Sequence, residues 1–274
     1  MVGVTGSVGK TSTKDLIAAA LGATRTVTAN LRSFNNEQGL PITILNAVDH
    51  TEALVVEKGM RGFGEIARLC AVSAPTSGID GVARAKRELV EALTADGVAV
   101  LNADDERVVA MARHTEAQVI TYGAAGEVRV VGLVLDELAR ARFRIETPGG
   151  VGDVRLAISG RHMASNAAAA IAVAGVIEGS VDHAIAALVD APVSGMRMEV
   201  RRTRTGAIVV NDAYNANPDS MRAALEALAG IDAGRRVAIL GAMGELDDPA
   251  AGHRLVADLA RDLRIVVVVM GTDR

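Results

Sequence analysis

Cysteine is almost absent: Cys70 is the only one in 274 residues. That excludes an intramolecular disulfide and a cysteine-based metal cluster, and it fits a reducing cytosol. Tryptophan is missing and aromatic residues make up 2% of the chain, which excludes the stacking platforms of single-strand nucleic-acid binders. No charge of one sign dominates, since the net charge is −4 with the signs interspersed. Neither nucleic acid nor a membrane surface is an expected partner of such a chain. No stretch reads as a signal peptide and no apolar run is long enough to span a bilayer, so the expected location is the cytoplasm. None of the five histidines, His50, His114, His162, His183 and His253, forms a metal-spaced pair.

What is present is hydrophobic residues, at half of the chain, enough for a sizeable core. Strand and helix patterns alternate, which predicts an α/β fold with mostly parallel sheets. Strands are expected over 2–5, 53–57, 98–102 and 119–122, and helices over 11–21, 64–72 and 82–93. Residues 128–158 switch to period-two runs with Gly and Pro turns, a small antiparallel section. An Ala-rich helix over 163–177 and another over 182–189 follow. After Pro192 the pattern restarts, with strands over 198–203, 207–211, 236–240 and 265–270 and helices over 220–229 and 250–262. The apolar run 265–270, ended by Gly271, reads as a buried parallel strand. We therefore expect two domains, 1–192 and 193–274.

The densest chemical signal is Gly3-Val4-Thr5-Gly6-Ser7-Val8-Gly9-Lys10-Thr11-Ser12-Thr13, a phosphate-binding loop between strand and helix. Backbone N–H groups from Ser7 to Thr11 can cradle phosphate oxygens, and the positive helix end adds to the attraction. Lys10 would reach the β- and γ-phosphates and the Thr11 hydroxyl would sit on Mg²⁺. Val4 stands where the longer G-x-x-x-x-G-K-[ST] pattern has its first glycine, so this is a shorter variant.

Such a loop needs a metal carboxylate. Glu57 ends an apolar strand, where ligands of open sheets bind, although an ordinary strand-end acid would look the same. Asp104-Asp105 also follow a strand, but Asn-Ala-Asp-Asp is good turn chemistry and that reading is favoured. Asn35, Asn36 and Gly39 lie in a polar loop before Pro41 that either presents amides to a ligand or only turns. By spacing alone Lys86 is a solvated helix residue. His162 and Asn166 share a helix face, with a structural role as the default. Asn211-Asp212-Ala213-Tyr214-Asn215-Ala216-Asn217-Pro218 crowds hydrogen-bonding side chains at a strand end. A helix cap needs one such residue, not five, so function is the favoured reading there.

Together these segments resemble the Mur ligases of peptidoglycan synthesis. The loop, Asn35-Asn36-Glu37-Gln38-Gly39-Leu40-Pro41, Glu57-Lys58-Gly59 and Ala83-Arg84-Ala85-Lys86 stand in family order. Gly160-Arg161-His162 with Asn166, Gly195-Met196-Arg197-Met198-Glu199, the 211–218 run and Gly241–Leu246 continue it. Within the family the pattern is most similar to the branch that adds D-alanyl-D-alanine. The alternative readings are another Mur-type or folylpolyglutamate-type ligase, or a non-catalytic nucleotide-binding subunit. The resemblance implies ATP and Mg²⁺ as cofactors and UDP-MurNAc-tripeptide and D-Ala-D-Ala as substrates; a monomer is the expected state, although the sequence itself does not specify it.

It also implies roles. Gly6, Ser7, Val8, Gly9, Lys10, Thr11 and Ser12 would bind the nucleotide phosphates, with Thr11 and Glu57 on the metal. Lys86 matches the lysine that is carbamylated in relatives, where it serves a second Mg²⁺. Asn166 would contact adenine. From the second domain Arg197 would reach the γ-phosphate and Asp212 the nucleotide, with Tyr214, Asn215 and Asn217 lining the cleft. Lys10, Lys86 and Arg197 would carry the catalysis.

The chain departs from the family in four ways. The N-terminal UDP-sugar-binding domain has no counterpart, and the C-terminal domain stops early. Lys58 stands where the family carries Met. Between Pro75 and Gly81 the family has a strand and a loop with a His ligand. Topology independently expects a strand there, because two helices on one face of a parallel sheet need one between them.

Overall fold

A computed structural model describes residues 1–31, 35, 39–59, 79–243, 246 and 248–271. The packing divides the chain into two compact units. One comprises Met1–Gly132, Phe143–Val154 and Ser165–Ser194, the other Leu133–Arg142, Arg155–Ala164 and Gly195–Arg274.

In the first unit, β1 (Val2–Val4), β2 (Val27–Ala29) and β3 (Ala53–Glu57) form a parallel sheet in the order β1-β3-β2. Helix α1 (Lys10–Gly22) buries Thr11, Ser12, Lys14, Leu16, Ile17, Ala20 and Leu21, a stripe at helical spacing. No acid occupies its first turn, so its N-terminus keeps the full positive end of the helix dipole. Helix α2 (Gly39–Leu45) carries Pro41 in its first turn, where a missing N–H costs nothing. Helix α3 (Ile79–Glu91), β4 (Val98–Asn102) and β5 (Gln118–Tyr122) follow, β4 and β5 pairing in parallel. Asp105 caps the short α4 (Glu106–Val109) by accepting from the Arg107 N–H at 2.9 Å. Asp104 Oδ1 accepts from the Ala124 N–H at 2.8 Å, so turn chemistry does describe this pair.

Strands β6 (Arg129–Leu135), β7 (Arg140–Thr147) and β8 (Gly150–Ser159) form a three-stranded sheet in sequence order. Connections this short leave only the antiparallel arrangement. Helix α5 (Met163–Glu178) has a run of buried alanines from Ala167 to Ala170, as a helix enclosed on most sides must. Helix α6 (Asp182–Leu188) packs against α1.

In the second unit β9 (Glu199–Arg202) and β10 (Ile208–Asn211) pair antiparallel, while β11 (Val237–Leu240) and β12 (Val266–Val269) pair in parallel. Helices α7 (Pro218–Gly230) and α8 (Pro249–Asp262) build a core of Leu225, Ala238, Met243, Val256, Ala260 and Ile265.

The α/β class and the element order agree with the sequence reading, with four differences. Strand β2 and helices α2 and α4 were not expected, and α2 begins inside what read as a polar loop. The 265–270 run is a parallel strand, but its four central valines are exposed rather than buried. Its only strand neighbour among the described residues is β11, and an apolar run does not reveal whether anything covers it. The expected helix over 64–72 and the segment around Ser77, where topology expects a strand, lie outside the described residues.

Candidate nucleotide and metal site

In the first unit β1 and β3 run side by side, with Val4 opposite Glu57. The loop from Thr5 to Gly9 therefore leaves its strand directly beside the Glu57 carboxylate. Gly9 caps α1 at φ 80°, a left-handed conformation that disfavours any side chain. A Cβ there would also stand 2.9 Å from Asn166 Oδ1. The substitution Gly9→Ala is thus expected to destabilise the protein by about 1–3 kcal/mol. It would also push Asn166 off the loop, and urea melts with ADP titrations check both effects.

Lys10 Nζ donates to the Gly6 carbonyl at 2.8 Å and to the Ser7 carbonyl at 3.4 Å. Ser7 and Val8 are exposed at the loop tip, while Thr11 and Ser12 are buried. The Thr11 hydroxyl donates to Glu57 Oε2 at 2.6 Å, and Asn35 Nδ2 donates to Glu57 Oε1 at 2.7 Å. Glu57 is 1% exposed. A buried carboxylate is costly unless every lone pair finds a donor or a cation. Lys58 is also buried, and its N–H donates to the Val4 carbonyl at 2.8 Å. Asn36 lies outside the described residues.

Lys86 is not the solvated residue its spacing suggests. It is half-buried on α3, and Nζ donates to Ser7 Oγ at 2.5 Å. Burial and the nearby Lys10 ammonium push its amine down to about 8, with Asp105 pulling the other way.

These residues fit a nucleotide and a divalent cation. The Thr11 hydroxyl and the Glu57 carboxylate are adjacent hard oxygen donors, the kind Mg²⁺ takes. Thr5 Oγ1 is buried at the loop with no protein partner. The helix N-terminus, Lys10 and Lys86 supply positive charge without an acid in the first turn of α1.

The second unit gathers another group. The Arg197 guanidinium lies 4.1 Å from the Tyr214 ring centroid, a stacking contact, and its Nε is buried without a partner. The Met198 N–H donates to Asp212 Oδ1 at 3.0 Å. Burial pushes the Asp212 carboxyl up to about 6, against that bond and the Arg197 charge. Met196 and Met198 hold φ at 60° and 51°, so the turn bearing Arg197 is strained.

Asn215 is exposed. Asn217 caps α7, accepting from the Ser220 N–H at 2.8 Å in a reciprocal capping box. At least one of the clustered polar residues is therefore a cap, and Asn217→Ala is expected to cost about 1 kcal/mol. A lowered urea midpoint with an unchanged slope would show it. In the Gly241–Leu246 segment the Met243 N–H donates to His253 Nε2 at 3.1 Å, and Gly244 and Glu245 lie outside the described residues. Sequence reasoning missed Lys14 and Asn30, both buried beneath the loop. Asn30 follows a three-residue strand with no legible period, and a buried Lys on a helix looks like any other helix Lys.

Residues 4–174 match the Mur ligase middle domain, and residues 196–274 match the Mur ligase, glutamate ligase domain. The chain is 43% identical over 299 aligned positions to the UDP-N-acetylmuramoyl-tripeptide–D-alanyl-D-alanine ligase of Mycobacterium tuberculosis (strain ATCC 25618 / H37Rv), covering all of this chain and 59% of that protein. The chain thus spans about three fifths of that relative's length. The alignment is longer than the chain, so the relative carries residues within the aligned span that this chain does not. The fold is similar to MurF from Acinetobacter baumannii, with TM-score 0.88 and 28% identity over 99% of this chain and 63% of that one. It is also similar to the MurF ligase of Thermotoga maritima in complex with ADP, with TM-score 0.83 and 27% identity over 98% of this chain and 66% of that one.

Proposed function

The chain belongs to the Mur ligase family, and from that premise we propose that it is the nucleotide-handling part of an ATP-dependent ligase joining D-Ala-D-Ala to UDP-MurNAc-tripeptide. The observation that carries this reading is the buried Thr11–Glu57 pair beside the phosphate loop, with the half-buried Asn35 on the other carboxylate oxygen. We assign 1–192 to a central ATP-binding domain and 193–274 to a ligase domain. The protein acts as a monomer in the cytoplasm.

In the reaction a substrate carboxylate attacks the γ-phosphorus of ATP, giving an acyl phosphate and ADP. The amine of D-Ala-D-Ala then adds to the acyl carbon. The tetrahedral intermediate expels phosphate and loses a proton to leave the amide. Phosphoryl transfer asks the protein for positioning and charge neutralisation rather than covalent chemistry. The backbone N–H groups of the loop and the α1 N-terminus hold phosphate oxygens, and Lys10 follows the charge that moves onto the leaving oxygen. Thr11 and Glu57 hold Mg²⁺, which supplies further charge neutralisation. Asn166 is assigned to adenine, and its side chain against the loop at Gly9 supports that reading. Arg197, with its unpartnered Nε over Tyr214, is assigned to phosphate and Asp212 to the nucleotide, with Tyr214, Asn215 and Asn217 lining the cleft.

Lys86 is assigned as a carbamate. Its neutral amine adds to CO₂ and releases a proton, turning a cation into an oxygen ligand for a second Mg²⁺. The depressed proton affinity of this amine supports the assignment, because only the neutral form reacts.

The test is phosphate release by the complete gene product. Release should require both UDP-MurNAc-tripeptide and D-Ala-D-Ala. Release independent of the dipeptide would overturn the reading, and turnover with glutamate in its place would move the chain to another branch of the family.

A further inference from the structure

Beneath the phosphate loop lies a buried charge with no part in the reaction above. Lys14, one turn after Thr11 on α1, is 2% exposed. Its Nζ donates to the Asn30 carbonyl at 2.6 Å and pairs with Asp15 Oδ1 at 2.8 Å. Asp15 Oδ2 in turn accepts from the Ser194 N–H at 2.8 Å. Asn30, 1% exposed at the end of β2, uses its side-chain Oδ1 to accept from the Glu57 N–H at 2.8 Å. The ammonium is thus two hydrogen bonds from the Glu57 backbone.

Stability alone does not call for this ammonium. An apolar side chain of similar volume would fill the space, and a buried ion pair is often no more stable than such a replacement. What it supplies is direction. A charge-assisted bond to a main-chain carbonyl fixes Asn30 in place, and the Asn30 amide fixes Glu57. The side-chain oxygens of Glu57 are oriented separately by Thr11 and Asn35, so its backbone and its carboxylate are each held.

We propose that Lys14 is a positioning residue for Glu57, acting through Asn30, and that it sets how tightly the phosphate loop holds its divalent cation. The inference rests on the reading of Glu57 as the metal carboxylate. Partners of metal ligands typically change metal affinity about 10–100-fold when removed.

The experiment uses the full chain and two binding readouts. Mn²⁺ binding in the presence of ADP is followed by electron paramagnetic resonance, and ADP binding without metal by calorimetry. Lys14→Met should weaken Mn²⁺ about tenfold while leaving metal-free ADP affinity within about twofold of the parent. Lys14→Arg should recover part of the loss. Asn30→Ala should reproduce it, and the double variant should lose no more than the larger single effect, because both act on one path.

A lower melting temperature with unchanged Mn²⁺ affinity would overturn the inference and leave Lys14 a packing residue. If Lys14→Met does not fold, Asn30→Ala carries the same test. Glu57→Gln separates the two readings. If Glu57→Gln loses Mn²⁺ and the Lys14 and Asn30 variants keep it, only the inference falls. If Glu57→Gln keeps Mn²⁺, the assignment of Glu57 falls first.

Discussion

Replacing Lys10 by alanine is expected to lower ligation turnover about 10²–10³-fold, roughly 3–4 kcal/mol of transition-state stabilisation. Lys10 is the one side chain of the loop that carries a full charge, and its Nζ already lies at the loop rim on the Gly6 and Ser7 carbonyls. In the proposed reaction the negative charge that grows on the leaving oxygen of ATP is met there by this cation. The loop N–H groups and the helix N-terminus remain in the variant. Nucleotide affinity should therefore fall far less than turnover. The measurement is phosphate release under saturating substrates beside ADP titration of the same variant. Equal losses in both would mean that Lys10 only anchors the ground state, the signature of uniform binding.

Lys10 was legible because its environment is local. An apolar strand, a glycine-rich loop and an amphipathic helix follow each other within twenty-two residues, and each element fixes the next. Glu57 was legible only as the acid that closes an apolar strand, which by itself does not separate a metal ligand from an ordinary strand-end acid. The rest of the site depends on distant pairs. Lys86 meets Ser7 across 79 positions, so its helix periodicity showed only a half-polar face. Lys14 meets Asn30 after a three-residue strand too short to show alternation. The 265–270 run showed the opposite failure. Its composition specified a strand correctly, but burial depends on what packs against it, which composition does not encode. The strained turn at Met196 and Met198 also left no trace, since methionine is not a residue that announces positive φ.

Replacing Lys86 by alanine is expected to reduce ligation about 10³-fold, the several kcal/mol of charge stabilisation that a metal ligand and its cation supply. Added bicarbonate should not restore it, because the amine that would take up CO₂ is gone. Geometry sets this expectation first: Lys86 reaches Ser7 at the loop tip from a separate helix, so its end group stands where phosphates would bind. The charge argument follows. An unmodified ammonium beside Lys10 is disfavoured by burial and by repulsion, which lower its proton affinity to about 8. The neutral fraction therefore grows as pH rises through about 8 and shrinks below it. In the parent enzyme, carbamate occupancy at fixed dissolved CO₂ should rise in the same direction. Carbon-13 resonance of enzyme held in labelled CO₂ reads occupancy directly, without turnover. A carbamate signal lost in Lys86→Ala, together with lost ligation, joins the modification to the mechanism. Full activity in that variant would remove Lys86 from the reaction. A parent spectrum with no carbamate signal above pH 8, beside an inactive Lys86→Ala, would make the residue a phosphate-binding cation instead.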